Sequence, residues 1–277
     1  MISGADRAME PLLTVESLVK RYTPRGFGGG RGGVTALDGV SFSIAEGSTL
    51  AIAGASGSGK STLALCLACL ERPASGQIRL AGRELTTLTE TQLRAVRPQM
   101  QLVFQDPSSS LNPRLTAFEI VTEPFAAQSR FSASERAARA RALFERAGLS
   151  FQSATRTAAE FSGGQRQRLA IARALALEPR VLILDEALSG LDASVQAQVA
   201  NLLLDLQEAS RLTFVFITHD LAMASRMADR IAVLDRGRIA ETGPMDEVLR
   251  QPAHASTRAL IAATPQWKAE LRQQADT

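Results

Sequence analysis

The sequence predicts an α/β fold built on a mainly parallel sheet. Several short apolar runs, rich in leucine or β-branched residues and without regular alternation, are typical of strands covered on both faces. Helical patterns, with apolar residues three and four positions apart, separate several of these runs. Strands that alternate with helices favour a parallel sheet. The predicted strands are residues 48–54, 100–105, 180–186, 213–219 and 230–235.

Helical patterns occur at residues 60–70 and 194–210, where they follow predicted strands. The middle of the chain is different, because Arg- and Ala-rich patterns such as SASERAARARALFERAGL dominate it. Ser132 or Ser134 is expected to cap that helix and Gly148 to end it. We therefore predict a helical subdomain at about residues 89–165, inserted into a core domain of residues 12–250. A helical tail, residues 251–277, follows.

Composition limits the class of protein. The chain has 277 residues, of which 45% are hydrophobic, and this is enough for a substantial core. The formal charge of +3 is weak for a protein that binds nucleic acid. No apolar run reaches the roughly 18 residues that a membrane span needs. The N-terminus lacks the order of a signal peptide, so we expect a cytoplasmic protein.

The two cysteines, Cys66 and Cys69, are spaced C-x-x-C. A zinc site needs more ligands than this pair, and neither a second pair nor a nearby histidine supplies them. A redox pair is expected at an exposed helix start, whereas these residues lie within the apolar run LALCLACL. The pattern therefore predicts buried structural thiols.

Two glycine-rich stretches compete for a phosphate-binding role. In the first, GFGGGRGGV, Gly28, Gly30 and Gly33 match the dinucleotide-binding fingerprint G-x-G-x-x-G. That fingerprint requires a strand before it and a helix after it. Here Pro24 interrupts the preceding residues, and the following VSFSI alternates like a strand. We therefore predict a flexible, hairpin-type connection instead of a cofactor site.

The second stretch, GASGSGKST, stands between a predicted strand and a predicted helix and satisfies G-x-x-x-x-G-K-[ST]. Its glycines allow backbone N–H groups to surround phosphate oxygens, and the helix start favours anions. Lys60 is expected to reach the β- and γ-phosphates, and the Ser61 hydroxyl to coordinate Mg²⁺. The predicted phosphate-binding residues are Gly54, Ser56, Gly57, Gly59, Lys60, Ser61 and Thr62.

The run VLILDE ends with two carboxylates, Asp185 and Glu186. An acid at the C-terminal end of a strand can hold Mg²⁺ through water beside the phosphates. A carboxylate one position later can orient or deprotonate the attacking water. Taken alone, the pair is equally consistent with an acidic strand end exposed to solvent.

A second anion-binding helix start is predicted in FSGGQRQRLAIARALA, where a helix opens at Ser162, Gly163, Gly164 and Gln165. Two such sites in one chain suggest that they bind two ends of one nucleotide. If one chain cannot bring them together, two chains can enclose ATP between the loop of one and the Ser-Gly-Gly helix of the other.

The full set of motifs resembles the ATP-binding subunit of an ABC transporter. GASGSGKST, VFQDP, FSGGQ, VLILDE, SGLD and FITHD occur in that order over roughly residues 12–250. The resemblance implies a P-loop NTPase core with a mainly parallel sheet, an antiparallel β subdomain and an inserted helical subdomain. It also implies ATP hydrolysis with ATP and Mg²⁺ as ligands.

The resemblance assigns further roles. Tyr22 would stack on adenine, while Glu186 would be the general base and His219 would contact the γ-phosphate. Gln105 would touch Mg²⁺ or the attacking water, so the implied metal site combines it with Ser61 and Asp185. The implied contacts across a dimer are Ser162, Gly163, Gly164 and Gln165 to the ATP of the other subunit, and Asp192 at the seam.

Finer features resemble the peptide/nickel importer branch, namely FQDPSSSLNPR and DEALSGLDASVQAQ. The tail is similar to that branch, except that Ala255 and Ser256 stand where members often have Pro-Tyr. Since the tail has no cysteine, we predict no iron–sulfur cluster. The resemblance implies import of peptides, nickel or related solutes. The implied partners are a second homologous ATPase, two transmembrane permeases and an extracellular or periplasmic substrate-binding protein, with this chain peripheral at the cytoplasmic face of the inner membrane.

The alternative is a soluble ABC ATPase that acts on nucleic acid or ribosomes. Repair-type members would carry a long coiled coil between the phosphate loop and the Ser-Gly-Gly helix, and no sustained heptads occur there. Ribosome-type members would carry two cassettes, whereas this chain has one. We therefore expect no nucleic-acid partner.

Overall fold

A computed structural model describes residues 11–23, 33–126 and 131–264. Its strands are β1 (Leu13–Tyr22), β2 (Val34–Ile44), β3 (Thr49–Ala53), β4 (Ser75–Leu80), β5 (Arg83–Glu84), β6 (Met100–Val103), β7 (Val181–Asp185), β8 (Thr213–Thr218), β9 (Arg230–Asp235) and β10 (Arg238–Pro244). Its helices are α1 (Lys60–Leu67), α2 (Glu90–Val96), α3 (Pro107–Ser110), α4 (Ala117–Ala126), α5 (Ala133–Arg146), α6 (Gly163–Leu175), α7 (Ala193–Ser210), α8 (Leu221–Met227), α9 (Met245–Arg250) and α10 (Ala255–Ala263).

The larger sheet has six strands in the order β10-β9-β3-β8-β7-β6. Strands β9, β3, β8, β7 and β6 are parallel, and β10 joins β9 antiparallel at one edge. Every residue of β3, β7 and β8 is buried, because both faces of the sheet are covered. All five strands predicted from the apolar runs are confirmed.

The smaller sheet is antiparallel, with the order β2-β1-β4-β5, and it confirms the predicted β subdomain. Tyr22 at the end of β1 pairs with Val34 at the start of β2. A strand and not a helix therefore follows Gly33, as the sequence context predicted for the first glycine stretch. Gly28 and Gly30 themselves lie outside the described residues.

Helices α3 to α6 lie between β6 and β7, where α3, α4 and α5 each pack on α6, and they form the inserted helical subdomain. Helix α2 precedes β6, and its Val96 packs in the core that contains α1 and the antiparallel sheet. Helix α5 begins after Ser132, whose backbone N–H bonds to Glu135 Oε2 at 2.8 Å in a capping box. Of the two candidate caps, Ser132 is therefore the one used. Gly148 follows the helix end with φ 65°, a left-handed conformation that suits glycine. Within the predicted tail, α10 is helical, and residues 265–277 lie outside the described part.

Alternate residues of the large sheet contribute to cores on its two sides. Leu182 and Phe214 pack with the helical subdomain, α7 and α8, whereas Ile183 and Val215 pack with α1 and the antiparallel sheet. The sheet is thereby held between two layers, and the carboxyl ends of its parallel strands meet at one edge. None of the helices in the described ranges is long and apolar enough to cross a membrane.

Candidate nucleotide-binding site

The loop between β3 and α1 is shaped by close backbone approaches. Gly57 has φ 77° and Gly59 has φ 109°, which are left-handed values that favour glycine. A Cβ added to Gly59 would lie 2.4 Å from the Ala36 carbonyl oxygen, and one added to Gly54 would lie 2.3 Å from that of Leu234. Three of the predicted loop glycines are therefore required by the backbone itself, independently of any ligand.

Lys60 begins α1 and points back into the loop. Its Nζ donates hydrogen bonds to the carbonyl oxygens of Gly54 at 2.8 Å and Ala55 at 3.0 Å, and the residue is only 6% exposed. Burial lowers the pKa of Lys60, while the carboxylates of Glu186 and Asp185 oppose that shift. The loop thus holds a buried cation that faces two acids from the end of β7.

The β9–β10 turn supports this loop from outside. The Gly237 N–H donates to the Ser58 carbonyl oxygen at 2.9 Å, and the Asp38 N–H donates to the Gly237 carbonyl oxygen at 2.8 Å. Arg238 pairs with Asp38 at 2.6 Å between Nη2 and Oδ2. These residues were not predicted from the sequence, because the turn at Gly237 is far from Ser58 along the chain. Only the pairing of β9 with β3 brings the turn against the loop.

Asp185, the last residue of β7, is 8% exposed and carries a buried oxygen, Oδ1, without a hydrogen-bond partner in the described ranges. Burial raises the pKa of Asp185, and the negative charge of Glu186 raises it further. A hydrogen bond from the Ser61 hydroxyl opposes this rise in pKa. A buried carboxylate oxygen and a hydroxyl are ligands that Mg²⁺ accepts. The residues at this point therefore fit a bound magnesium ion.

Glu186 and His219 are neighbours at the same sheet edge. His219 Nδ1 lies 3.3 Å from Glu186 Oε2. Glu186 has φ 50°, and its backbone N–H donates to the Ile217 carbonyl oxygen at 2.9 Å, which ties it to β8. Its side chain is 20% exposed and that of His219 is 59% exposed, so the pair lies at the opening of the site.

Gln105 and Tyr22, two further predicted site residues, lie at or just beyond the ends of strands of different sheets. Gln105 is exposed and follows β6, whose last residue Val103 pairs with Leu184, so it lies at the edge that bears Asp185. Tyr22 ends β1 and is 39% exposed. In the part of the chain that the structure describes, no hydrogen bond joins either residue to the two acids.

The Ser-Gly-Gly helix start is built as predicted. Ser162 caps α6 in a capping box with Gln165, whose backbone N–H donates to Ser162 Oγ at 3.3 Å. A Cβ on Gly164 would lie 2.3 Å from Cγ1 of Val195, so this turn packs closely on the first turn of α7. Ser162 and Gln165 are exposed, as is Asp192, the N-cap residue of α7.

This turn is separate from the phosphate loop within the chain. Among the described residues, no hydrogen bond or ion pair joins Ser162, Gly163, Gly164 or Gln165 to the loop between β3 and α1. Helix α6 packs on α3, α4, α5, α7 and β6, whereas α1 packs on β2, β7 and β8. The structure brings together Lys60, Ser61, Asp185, Glu186 and His219, and the turn at Ser162 makes none of these contacts within the described ranges.

Comparison with known proteins identifies the family. The family model described as ABC transporter matches residues 37–189, which is more than half of the chain. This chain belongs to the ABC transporter ATPase family. The match includes the phosphate loop, the Ser-Gly-Gly turn and both acids of the VLILDE run, so the predicted fold, ATP binding and ATPase activity are confirmed at the family level.

Curated relatives of this ABC ATPase are transporter subunits. A probable peptide ABC transporter ATP-binding protein, y4tS of Sinorhizobium fredii, is 48% identical over 92% of this chain and 73% of its own. The di/tripeptide transport ATP-binding protein DppF of Pseudomonas aeruginosa is 45% identical over 93% of this chain and 80% of its own. These names support the transporter prediction, and neither favours the nucleic-acid alternative.

Solved structures agree with the ABC ATPase fold. The dimeric, post-hydrolysis structure of the ATP-binding cassette MJ0796, bound to ADP and Pi, superposes with a TM-score of 0.75 at 32% identity, covering 84% of this chain and 98% of that one. The structure of cbiO1 from Clostridium perfringens, part of the transporter complex cbiONQ, gives a TM-score of 0.77 at 27% identity over 95% and 99% of the two chains.

Proposed function

We propose that this ABC ATPase hydrolyses Mg-ATP to energise the import of peptides, nickel or related small solutes. The observation that carries the proposal is the convergence of Lys60, Asp185, Glu186 and His219 at the carboxyl edge of the sheet, on a chain whose relatives are named as peptide transport subunits. The proposed ABC domain is residues 12–250, with its helical subdomain at about 89–165 and the tail at 251–277.

The ammonium group of Lys60 has a donor available for a phosphate oxygen. An ammonium group has three donors, and the Gly54 and Ala55 carbonyls use two of them. The remaining donor, the backbone N–H groups of the loop and the start of α1 favour the β- and γ-phosphates. Ser56, Gly57, Gly59 and Thr62 complete the proposed cradle.

Magnesium would be held by Ser61, Asp185 and Gln105. The unpartnered Oδ1 of Asp185 supports this assignment, because an ion or its water would satisfy that buried oxygen. When bound, Mg²⁺ neutralises negative charge on the phosphates. The Ser61 hydroxyl, in the first turn of α1, and the Asp185 carboxylate, at the end of β7, would hold the ion between them.

Glu186 is the proposed general base. Its side chain is partly exposed at the opening of the site, where it can accept a proton from the attacking water. His219, 3.3 Å away, restrains that carboxylate and would contact the γ-phosphate. Tyr22 would stack on the adenine ring.

A second subunit would complete the site. Ser162, Gly163 and Gln165 are exposed and are not joined to the phosphate loop of their own chain by a hydrogen bond in the described ranges, so we propose that in a dimer this turn, with Gly164, reaches the ATP of the other subunit, with Asp192 at the seam. The dimeric cassette MJ0796 supports such pairing. We propose a homologous second ATPase, two transmembrane permeases and an extracellular or periplasmic substrate-binding protein as partners, with this chain peripheral at the cytoplasmic face of the inner membrane.

The Glu186→Gln variant tests the catalytic assignment. We expect the Kd for ATP to change by less than about threefold, turnover to fall by roughly 10²- to 10⁴-fold, and ATP-bound dimers to accumulate in gel filtration. Glu178→Gln is a matched control, because Glu178 also has a left-handed backbone (φ 50°) but lies at the surface beside Arg139. Normal turnover in Glu186→Gln would reject the general-base role.

The importer assignment needs the assembled complex in vesicles. We expect ATP turnover to rise when a cognate binding protein delivers di- or oligopeptides or chelated nickel, and labelled solute to accumulate inside. Stimulation by ribosomes or nucleic acid, without any response to the permeases, would instead support the alternative class.

A further inference from the structure

Lys20 is a buried lysine beside the proposed adenine-binding residue. It lies on β1 two positions before Tyr22, and its Nζ is 5.0 Å from the centroid of the Tyr22 ring. Leu18, on the same strand, is fully buried in the core that contains α1, so this part of β1 lies over the layer of the phosphate-loop helix.

The ammonium group of Lys20 is also held by two hydrogen bonds to the segment that follows α1. Nζ donates to Glu71 Oε2 at 2.5 Å and to the Arg72 carbonyl oxygen at 2.8 Å, and the residue is 9% exposed. Burial alone would lower the pKa of Lys20, but the hydrogen bond and charge of Glu71 outweigh it and hold that pKa above its usual value. Lys20 is therefore a fixed cation, anchored to the segment that follows α1.

We propose that Lys20 is a positioning residue for nucleobase binding, which holds one face of the Tyr22 ring so that the other face can stack on adenine. The inference rests on the proposed role of Tyr22. A cation within about 6 Å of an aromatic centroid attracts the ring, and the attraction grows when the cation is desolvated. Lys20 also bonds to Glu71 and Arg72, which follow α1, and Lys60 begins that helix. The ring proposed to bind the base and the lysine proposed to bind phosphate are therefore both attached to α1.

The test compares ligands with and without a base. For Lys20→Met, which keeps an apolar stem without the charge, we expect the Kd for ATP to rise about three- to tenfold. Inorganic triphosphate, which lacks a base, should bind within about twofold of the unmodified chain. Lys20→Arg should recover most of the ATP affinity, because a guanidinium can also lie over an aromatic ring. Arg79→Met, which removes an exposed charge on β4 of the same sheet, is the matched control.

A spectroscopic measurement follows the ring itself. The chain contains a single tyrosine, so 3-fluorotyrosine labelling gives one ¹⁹F resonance, from Tyr22. We expect Lys20→Met to shift or broaden that resonance without nucleotide and to weaken its response to ATP. In Tyr22→Ala, adding Lys20→Met should produce little further loss of ATP affinity, because Lys20 acts through the ring.

The outcomes separate the inference from the proposed function. If ATP binds but Lys20→Met weakens ATP and triphosphate equally, or weakens neither, the positioning role is wrong while the proposed function stands. If the ¹⁹F resonance does not change in Lys20→Met, the role is also wrong. If the unmodified chain binds no ATP, the proposed function itself fails.

Discussion

Alanine substitutions in the phosphate loop should separate backbone strain from steric collision. Gly57 and Gly59 both have left-handed φ values, so alanine at either position costs about 1–2 kcal/mol of folding free energy. A Cβ at Gly57 meets nothing within 4 Å, whereas one at Gly59 lies 2.4 Å from the Ala36 carbonyl oxygen. Because backbone there must move, overpacking adds about 1–3 kcal/mol.

The expected ranking follows directly. Gly57→Ala should lower the free energy of unfolding by about 1–2 kcal/mol and Gly59→Ala by about 2–5 kcal/mol. Urea denaturation without nucleotide, followed by circular dichroism, measures the free energy of unfolding of each variant. An unchanged slope of that free energy against urea concentration would show that each variant exposes the same surface area on unfolding. Gly57→Asn serves as the control, since asparagine tolerates the left-handed region and should be less destabilising than alanine.

Two results would refute this reasoning. Equal destabilisation by Gly57→Ala and Gly59→Ala would mean that the approach of Ala36 imposes no constraint. A Gly57→Asn variant that is no more stable than Gly57→Ala would mean that φ is not the source of the loss. Binding of ATP, measured on the same variants, would then show whether loop geometry or stability governs affinity.

The remaining predictions concern three other parts of the chain. Asp185→Asn should raise the free energy of unfolding at pH 7, because burial raises the pKa of Asp185 and so disfavours its charged form in the folded chain. In urea titrations the gain should shrink as the pH falls below that raised pKa and vanish below the usual pKa of an aspartate, 3.8. The variant should also lose Mg-dependent ATP binding at pH 7. Burial raises the pKa of Cys66 to about 11, so alkylation at pH 8, followed by mass spectrometry, should be about 100-fold slower in the folded chain than in urea. In thermal unfolding, Gly164→Ala should destabilise the chain by about 1–3 kcal/mol, because the new Cβ would collide with Val195. Gly163→Ala should be tolerated, because its Cβ would lie at an ordinary contact distance of 3.7 Å from Cδ2 of Leu191.

Features that depend on neighbouring residues could be predicted from the sequence. The five buried strands, the loop between β3 and α1, and the capping of α5 by one of two serines, of which Ser132 is used, each depend on a short run of residues. Strand β1 was not predicted from periodicity, and the structure explains why. The register shifts between Val15 and Leu18, where Ser17 has φ 48°, so the apolar alternation is interrupted in the middle of the strand.

Contacts between distant segments could not be predicted. The Gly237 N–H supports the Ser58 carbonyl only because β9 lies next to β3, and the sequence does not contain that strand order. The link from Glu71 to Lys20 likewise depends on how β1 lies over the exit of α1. A local pattern therefore located the residues proposed to bind phosphate, but not the residues that hold them in place.

The backbone of Glu186 shows how the fold supports the proposed base. A glutamate at φ 50° is strained by roughly 1 kcal/mol or more, and such strain persists only where surrounding contacts determine the conformation. Three hydrogen bonds do so here: the Glu186 N–H donates to Ile217, and its carbonyl accepts from the N–H and the hydroxyl of Ser189. The two acids have different neighbours, since Asp185 accepts a hydrogen bond from the Ser61 hydroxyl and Glu186 lies beside His219. The strained turn after β7 fixes Glu186 at that position, where we propose that it serves the attacking water while Asp185 serves the ion.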